Sequence, residues 1–259
     1  SAWRDGTGFD ALHRYFAYGS SAVSSEKTVY QFDTDNSNRF AEMGDGCLVV
    51  LSDTALRMLG ADGSEIWSAN VQMSAPDLRQ GGGKAVAYDI GGTAVYVLDE
   101  NGEQWELTAE GPIVSASLNN SGMLAVTSQV SGTKGRVDVY TADGSALAEV
   151  NAHRRCVADA CVTEDAQSLS VVLMGQEDGT FVSDVSFYDL TRLGEAEVTA
   201  DYVVQDGLVT AMGCHGSSIL TVTDTCFASG RANGKLTGTY SYDGEYLREY
   251  DLGGDGFTA

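Results

Sequence analysis

Residues 95–107 read VYVLDENGEQWEL, two short apolar stretches on either side of Glu100-Asn101-Gly102. Apolar and polar residues alternate in these stretches, as they do in a β-strand with one buried face. Asn-Gly is the strongest short hairpin signal, because both residues tolerate the positive φ angles of a type I′ turn. The stretch therefore predicts a β-hairpin that turns at Asn101-Gly102.

Similar hairpins recur along the chain roughly every forty to fifty residues, a period typical of all-β repeat folds. Their turns contain Asp62-Gly63, Asp143-Gly144 and Asp243-Gly244, and residues 188–198, YDLTRLGEAEV, form a degenerate copy. Two further strand-like segments precede each hairpin, for example GPIVSASLN and GMLAVTSQV before RVDVYTA. Four antiparallel strands in sequence order are the blade of a β-propeller.

The sequence thus predicts an all-β fold, a β-propeller of four-stranded antiparallel blades that covers residues 27–259. Five blades are predicted, at residues 38–71, 72–109, 111–151, 153–204 and 206–252. One further strand-like segment, KTVYQFD at 27–33, precedes the first complete blade. Either it adds to the edge of a ring that closes with five blades, or the chain is the front part of a larger ring. The second alternative is preferred because it also uses the tail, GGDGFTA.

Residues 1–26 are predicted to form a short helix and a linker ahead of the propeller. Phe9, Leu12 and Phe16 recur at the spacing of one face of an amphipathic helix. The segment GSSAVSSEK that follows has the composition of a flexible linker. The helix is interpreted either as a docking or juxtamembrane element or as a cap on one end of the domain.

Three stretches carry a resemblance to a known family: RYFAYGS at 14–20, GCLVVLSDTALRMLGADGSEIW at 46–67 and AVAYDIGGTAVYVLDENG at 85–102. With them the chain resembles a family of uncharacterised, membrane-anchored propeller proteins of Gram-positive bacteria, with WD40- or quinoprotein-like repeats. The resemblance implies a transmembrane helix, then a linker, then a propeller on the outer side. It therefore predicts an extracytoplasmic location, with membrane contact only through an anchor that these residues do not contain.

The charge of the chain excludes one class of partner. Its net charge is −22, from 37 acidic and 15 basic residues. Such a surface repels phosphate backbones and anionic lipid headgroups, so no nucleic-acid partner is expected. No apolar stretch approaches the ~18 residues that a membrane-spanning helix requires.

The five cysteines are Cys47, Cys156, Cys161, Cys214 and Cys226. Cys156 and Cys161 lie in one strand-like segment, and an extended chain of that length spans about 16 Å, beyond disulfide reach. No Cys-x-x-Cys pair indicates a zinc or redox site. We therefore expect buried free thiols.

The one basic cluster of this acidic chain is His153-Arg154-Arg155, which supplies the candidate binding residues. It falls where the outer strand of one blade crosses to the inner strand of the next, and such crossovers ring one mouth of a propeller. Arginine pairs bind anions and carboxylates well. The alternative is that these side chains form ion pairs with neighbouring acidic loops.

No catalytic, metal or cofactor site is predicted. The repeat signatures of sialidases, quinone-dependent dehydrogenases and WD40 blades are all missing from the sequence. Three scattered histidines lack a second ligand at helical spacing. The segment DTDNSN at 33–38 begins like a calcium loop, but the glycine and glutamate of that loop are absent, so a polar turn is expected.

Two functions are compatible with these observations. The leading hypothesis is a non-enzymatic propeller that binds a protein or a glycan of the cell envelope, or acts as a scaffold there. The alternative is a glycan-active hydrolase or lyase whose acid–base carboxylates, for instance Asp77 and Asp159, lie on inner strands near the central channel.

Overall fold

The computed structural model describes residues 38–192, 197–204 and 207–245, together with Leu247, Tyr250 and Leu252. These residues form twenty β-strands and one short 3-10 turn at Gly44–Gly46, and no α-helix occurs among them. The predicted helix and linker at 1–26 and the predicted strand at 27–33 lie outside the described residues.

The strands form five antiparallel sheets of four, each in sequence order. Blade 1 consists of β1 (Arg39–Met43), β2 (Cys47–Leu51), β3 (Ala55–Leu59) and β4 (Glu65–Asn70). Blade 2 consists of β5 (Pro76–Gly81), β6 (Lys84–Asp89), β7 (Ala94–Asp99) and β8 (Gly102–Thr108). Blade 3 consists of β9 (Ile113–Leu118), β10 (Leu124–Ser128), β11 (Gly135–Tyr140) and β12 (Ala146–Ala152). Blade 4 consists of β13 (Cys156–Val162), β14 (Ser168–Glu177), β15 (Thr180–Asp189) and β16 (Val198–Val204). Blade 5 consists of β17 (Val209–His215), β18 (Ser218–Thr223), β19 (Cys226–Arg231) and β20 (Lys235–Ser241).

Neighbouring blades share apolar cores that hold the sheets face to face. Leu51 and Met58 of blade 1 pack with Ala87 of blade 2. Val97 of blade 2 packs in the same way with Leu124 of blade 3, and equivalent clusters join blades 3 to 4 and 4 to 5. Where both faces of a blade are covered, its middle strands are apolar without alternation, as Ala85, Val86, Ala87 and Tyr88 in β6 illustrate. Packing of this kind gives a propeller-like arrangement.

The first strands of the blades lie side by side and form the inner wall of the arrangement. β1 contacts β5, β5 contacts β9, β9 contacts β13, and β13 contacts β17. Small buried residues at Ala116, Ala160 and Ala211 let these strands approach one another closely. The inner wall is where charged side chains from different blades meet.

The prediction of four-stranded antiparallel sheets is confirmed, but the strands assigned to the last hairpin of blade 5 are wrong. The turn between β19 and β20 is at Asn233-Gly234, whereas Asp243-Gly244 forms a turn that follows β20. The sequence CFASGR of β19 was missed because small and polar residues dominate it and give no clear apolar alternation. A hairpin that turns at Asp243-Gly244 would make the preceding segment LTGTYSY, residues 236–242, the third strand, but this segment contains most of the fourth strand, β20.

The turn glycines also accommodate the tryptophans of neighbouring blades. A Cβ atom on Gly102 would lie 2.9 Å from the Trp67 ring, and one on Gly144 would lie 3.0 Å from the Trp105 ring. The Trp105 indole Nε1 donates a hydrogen bond to the Ala142 carbonyl at 3.2 Å, which fixes the ring beside the turn. Each glycine is therefore required both for its positive φ angle and for the ring that packs against it.

We expect Gly144→Ala to lower the free energy of unfolding by about 1–2 kcal/mol more than Gly132→Ala does. Gly132 has almost the same φ angle, +85° against +84°, but nothing lies within 4 Å of its added Cβ. The difference therefore isolates the contact with Trp105 from backbone strain. Urea unfolding of the two variants measures it, and equal losses of stability would show that the Trp105 contact contributes nothing.

Candidate functional site

Charged side chains from different blades converge on the inner wall, in what we call the axial cluster: Arg39, Asp77, Arg79, Tyr88 and Asp159. Its main contact joins blade 2 to blade 4. The Nη1 atom of Arg79 on β5 lies 3.1 Å from Oδ1 and 3.0 Å from Oδ2 of Asp159 on β13. Blade 3 stands between these blades in sequence, so the contact spans two blade positions around a common axis. The Asp159 side chain is only 3% exposed.

Asp159 also links the inner wall to blade 5. Its Oδ1 accepts a hydrogen bond from the Ala160 amide at 2.9 Å, and its Oδ2 accepts one from the Met212 amide on β17 at 3.2 Å. One carboxylate thus connects blades 2, 4 and 5. A buried carboxylate is stable only when it is paired and hydrogen-bonded in this way.

Asp77 completes the axial cluster on the side of blade 1. The Tyr88 hydroxyl donates a hydrogen bond of 2.5 Å to Asp77 Oδ2, and Arg39 Nε lies 3.8 Å from Asp77 Oδ1. Burial raises the pKa of Tyr88, so the phenol stays protonated and continues to donate. The Asp77 side chain keeps 28% of its surface exposed, in contrast to Asp159.

The two carboxylates that the sequence suggested as an acid–base pair therefore differ in what they can do. Both oxygens of Asp159 accept hydrogen bonds from Arg79 and from backbone amides, which leaves this group poorly placed to exchange protons with a ligand. Asp77 is partly open. The geometry supports a structural role for Asp159, and Asp77 is the more accessible carboxylate of the two.

Arg39, Arg79 and Tyr88 are not among the residues that the sequence pattern predicts for a site. One signal was present in β5, where Asp77 and Arg79 are two residues apart and so share a face of the strand. Opposite charges on one face of an inner strand, where small apolar residues are expected, mark a position that needs partners from other blades.

The cysteines correct the expectation of free thiols. Cys161 on β13 and Cys214 on β17 form a disulfide with a Cα–Cα distance of 6.3 Å, which links the inner strands of blades 4 and 5. Cys47 and Cys226 are free and buried, as expected, whereas Cys156 is free and exposed. Cys156 and Cys161, which were predicted to be too far apart for a disulfide, are not linked to each other.

The predicted binding residues lie in the connection between β12 and β13, which we call the basic loop: His153, Arg154 and Arg155. His153 and Arg154 are exposed, and neither has an ion-pair partner among the residues that the structure describes. Arg155 is ion-paired with both Asp184 and Glu177 of blade 4. The sequence placed the three residues together, but the structure leaves only the first two free for a ligand.

Beside the basic loop, the two middle strands of blade 4 extend past their neighbours. Among the described residues, which omit 205 and 206, pairing with β13 ends at Met174 and pairing with β16 ends at Ser183, while β14 and β15 pair with each other as far as Glu177 and Thr180. Residues 175–182 thus form a two-stranded extension, the blade-4 ribbon. Its turn contains Asp178-Gly179, an Asp-Gly dipeptide that is not among the turns predicted from the sequence. Phe181 near the turn is 58% exposed.

Arg155 ties this ribbon to the rest of blade 4, and we expect Arg155→Gln to loosen it. Without charge-assisted bonds to Asp184 and Glu177, the local stability of the ribbon should fall by about 1–2 kcal/mol. Burial already raises the pKa of Asp184, although Arg155 lowers it, so this carboxyl depends on its cation.

Chymotrypsin cleavage after Phe181 measures the loosening, and it should accelerate roughly tenfold while the rest of the chain stays folded. Arg192→Gln is the matched control, because the Arg192 side chain is 82% exposed and its one ion pair with a described residue is with Asp189, three positions earlier. Equal cleavage rates in the two variants would show that Arg155 does not hold the ribbon.

Within the described residues, no group of three or more histidine, cysteine, aspartate or glutamate side chains is arranged to hold a metal ion. In the same part of the chain, no helix is long and apolar enough to cross a membrane. Most of the calcium-loop segment considered above, residues 33–37, lies outside the described residues.

Solved structures with the same arrangement come from proteins of different kinds. The chain is similar to Hsv2p of Kluyveromyces lactis, with 13% identity and a TM-score of 0.56 over 82% of this chain and 75% of that chain. It is similar to hydrazine synthase of Kuenenia stuttgartiensis, with 15% identity and a TM-score of 0.56 over 74% of this chain and 64% of that one. It is also similar to a eukaryotic initiation factor, with 10% identity and a TM-score of 0.57 over 82% of this chain and 56% of that chain. At these identities the similarity establishes a β-propeller-like fold alone.

Sequence comparisons identify a family but no activity. No curated protein matches the chain. The model of a family described only as a family of unknown function matches residues 16–212, about three quarters of the sequence. The chain therefore belongs to DUF5711, a family of unknown function.

Proposed function

We propose that this protein is a non-enzymatic, extracytoplasmic propeller that binds a protein or a glycan of the cell envelope, or acts as a scaffold there. The observation that carries the proposal is that the basic loop lies next to the blade-4 ribbon in the fold. At this edge of blade 4, the exposed residues His153 and Arg154 directly precede Arg155, whose side chain is ion-paired with Glu177 of a hairpin that carries the exposed Phe181. Projecting polar and aromatic groups on a rigid scaffold are typical of binding surfaces.

The disulfide supports the extracytoplasmic part of the proposal. Disulfides form and persist in oxidising compartments and are rare in the cytosol of mesophiles, where thiols are kept reduced. The bond between Cys161 and Cys214 joins two buried strands of the inner wall, so it belongs to the folded core. The membrane anchor is proposed from the family resemblance. Protease treatment of intact cells tests the extracytoplasmic location and the membrane anchor. A protein that is protected from the protease, or that fractionates with the cytosol, would contradict these two proposals.

A larger ring is the second structural part of the proposal. Blade 1 carries buried apolar residues, Leu48 and Val50, on the face that points away from blade 2. Blade 5 carries Val222 and Phe227 on the face that points away from blade 4. These faces resemble the ones that pack between blades elsewhere, so we propose that further strands continue the ring. An experimental structure of the natural protein that closes on five blades would contradict this.

Binding through the basic loop is tested with Arg154→Glu. Equilibrium binding should be measured against a panel of purified envelope glycans and a panel of envelope proteins. The variant should lose binding, while Arg192→Glu, which changes another exposed arginine, between β15 and β16, should not. Arg155 is left unchanged because its ion pairs hold the ribbon. Binding that is unaffected by Arg154→Glu would remove the basic loop from the proposed site.

The alternative proposal, a glycan-active hydrolase or lyase, is favoured by one observation. Asp77 is partly exposed and shares the axial cluster with Asp159 through Arg79. Asp77→Asn is the appropriate test, since changing Asp159 would destabilise the fold. Glycan turnover by the native protein that disappears in Asp77→Asn would overturn the binding proposal in favour of catalysis.

A further inference from the structure

We propose that the edge between blades 3 and 4 binds an anionic glycan through a basic patch, which consists of Lys134, His153 and Arg154. The inference rests on the proposed binding function and names the class of ligand. It adds Lys134, which lies in the connection between β10 and β11, to the residues of the basic loop. The groups recognised are the phosphates or carboxylates of a polysaccharide.

Two backbone hydrogen bonds hold Lys134 at the base of the basic loop. The Lys134 amide donates to the Ala152 carbonyl at 2.7 Å, and the Lys134 carbonyl accepts from the Val157 amide at 3.3 Å. Ala152 precedes the basic loop and Val157 follows it, so Lys134 is bonded to both ends of the loop. The two connections are also closely packed, since a Cβ atom on Gly135 would lie 2.9 Å from Val157 Cβ. The backbone thus fixes a lysine of blade 3 beside the basic loop.

Carboxylates that reach this edge are paired with other cations. Two half-buried arginines, Arg136 and Arg155, take up five acidic side chains between them. These are Glu110, Asp138 and Glu149 for the first arginine, and Glu177 and Asp184 for the second. The exposed Lys134, His153 and Arg154 have no ion-pair partner among the residues that the structure describes. The basic patch is therefore a local cationic surface on a chain of net charge −22.

The side chains around the basic patch favour a glycan over a protein. In residues 129–134 and 153–155 every exposed side chain is polar or charged, and none is a large hydrophobic one. Protein interfaces usually centre on aromatic or aliphatic residues. Phe181 does not supply such a centre, because it projects from the ribbon face opposite to the one that Arg155 holds.

The groups that the patch does offer match an anionic sugar polymer. Lysine and arginine donate charge-assisted hydrogen bonds to phosphate and carboxylate oxygens, and these bonds are about twice as strong as neutral ones. The exposed Gln129 and Ser131 can donate to sugar hydroxyls and accept from them. A polymer that carries both anionic groups and hydroxyl groups uses all of these side chains.

The acidic surface elsewhere on the chain is compatible with this ligand. At physiological ionic strength the Debye length is about 8 Å, so exposed charges farther from the patch are largely screened. A nucleic acid carries one charge about every 1.7 Å and would meet the acidic surface along its length. A glycan with anionic groups spaced along an uncharged backbone avoids most of that repulsion.

The test measures equilibrium binding of the full chain, at about 0.15 M salt, to three polymers with one backbone: dextran, carboxymethyl dextran and dextran phosphate. We expect at least one anionic polymer to bind about tenfold or more tightly than dextran. Comparison of the two anionic polymers decides between carboxylate and phosphate as the preferred group. Equal binding of all three polymers, or no binding, would overturn the proposal.

Substitutions in the basic patch then locate the binding. Lys134→Gln and Arg154→Gln should each weaken binding of the preferred anionic polymer about fivefold to tenfold. Lys235→Gln is the matched control, because it changes the net charge equally at an exposed lysine of blade 5. An affinity that Lys134→Gln leaves unchanged, or that Lys235→Gln lowers as much, would overturn the proposal. If the anionic polymers fail to bind but Arg154→Glu abolishes binding of a neutral glycan or an envelope protein, the proposed function stands without an anionic ligand.

Discussion

Asp159→Asn is expected to lower the free energy of unfolding by about 3–5 kcal/mol, a large fraction of the stability of a typical domain. Asparagine preserves the shape of the side chain but removes its charge. An amide has one acceptor oxygen, whereas Arg79 and the amides of Ala160 and Met212 all donate to the carboxylate. The substitution therefore leaves Arg79 without its counter-ion on the inner wall and breaks links among blades 2, 4 and 5.

Urea unfolding measures this loss, and a double-mutant cycle with Arg79→Met identifies its cause. The double variant has no unpaired charge left from the pair, so it should lose less stability than the two single variants together. A loss below about 1 kcal/mol for Asp159→Asn, the usual value of an exposed ion pair, would contradict the position assigned to this carboxylate.

Replacing both Cys161 and Cys214 by alanine should lower the free energy of unfolding by about 2–4 kcal/mol. The disulfide closes a sequence separation of 53 residues, so its absence restores considerable freedom to the unfolded chain. Cys156→Ala is the control, because that thiol is exposed and free, and changes at such sites are usually within about 0.5 kcal/mol. An unfolding midpoint that does not change when the native protein is reduced would contradict a stabilising disulfide.

The blade pattern was predictable because the signals that define it are local. A turn dipeptide between alternating apolar residues specifies a hairpin by itself, and repetition of the hairpin specifies the blade. The prediction failed at β19, where Ala228, Ser229 and Gly230 are too small to produce the alternation of a half-buried strand. Position in a repeat, rather than residue type, determines that this segment is a strand.

The axial contacts were less predictable because they join residues that are far apart in sequence. Arg79 and Asp159 are separated by 80 residues, about two blade repeats, and no local pattern connects them. The disulfide also joins residues that are far apart in sequence, in this case by about one blade repeat. Cys161 and Cys214 lie on the inner strands of successive blades, so aligning the blades by their inner strands would have brought these two cysteines together.

The residues around the blade-4 ribbon show which part of a proposed binding surface can be predicted from a sequence. His153 and Arg154 were identifiable as basic residues in an acidic chain, and the structure places them in an exposed connection. Phe181 was not identified, since an aromatic residue in a strand is usually buried. In the part of the chain that the structure describes, Phe181 lies beyond the last pairs that β14 makes with β13 and that β15 makes with β16.

The blade order around the axis is tested most directly by disulfide mapping of the unreduced protein. Peptides from a non-reducing digest, analysed by mass spectrometry, should contain one linked pair, Cys161 with Cys214, and free Cys47, Cys156 and Cys226. A fold that sets the inner strands of blades 4 and 5 side by side brings that pair within bonding distance. A linkage of Cys161 to any other cysteine would contradict the arrangement described above.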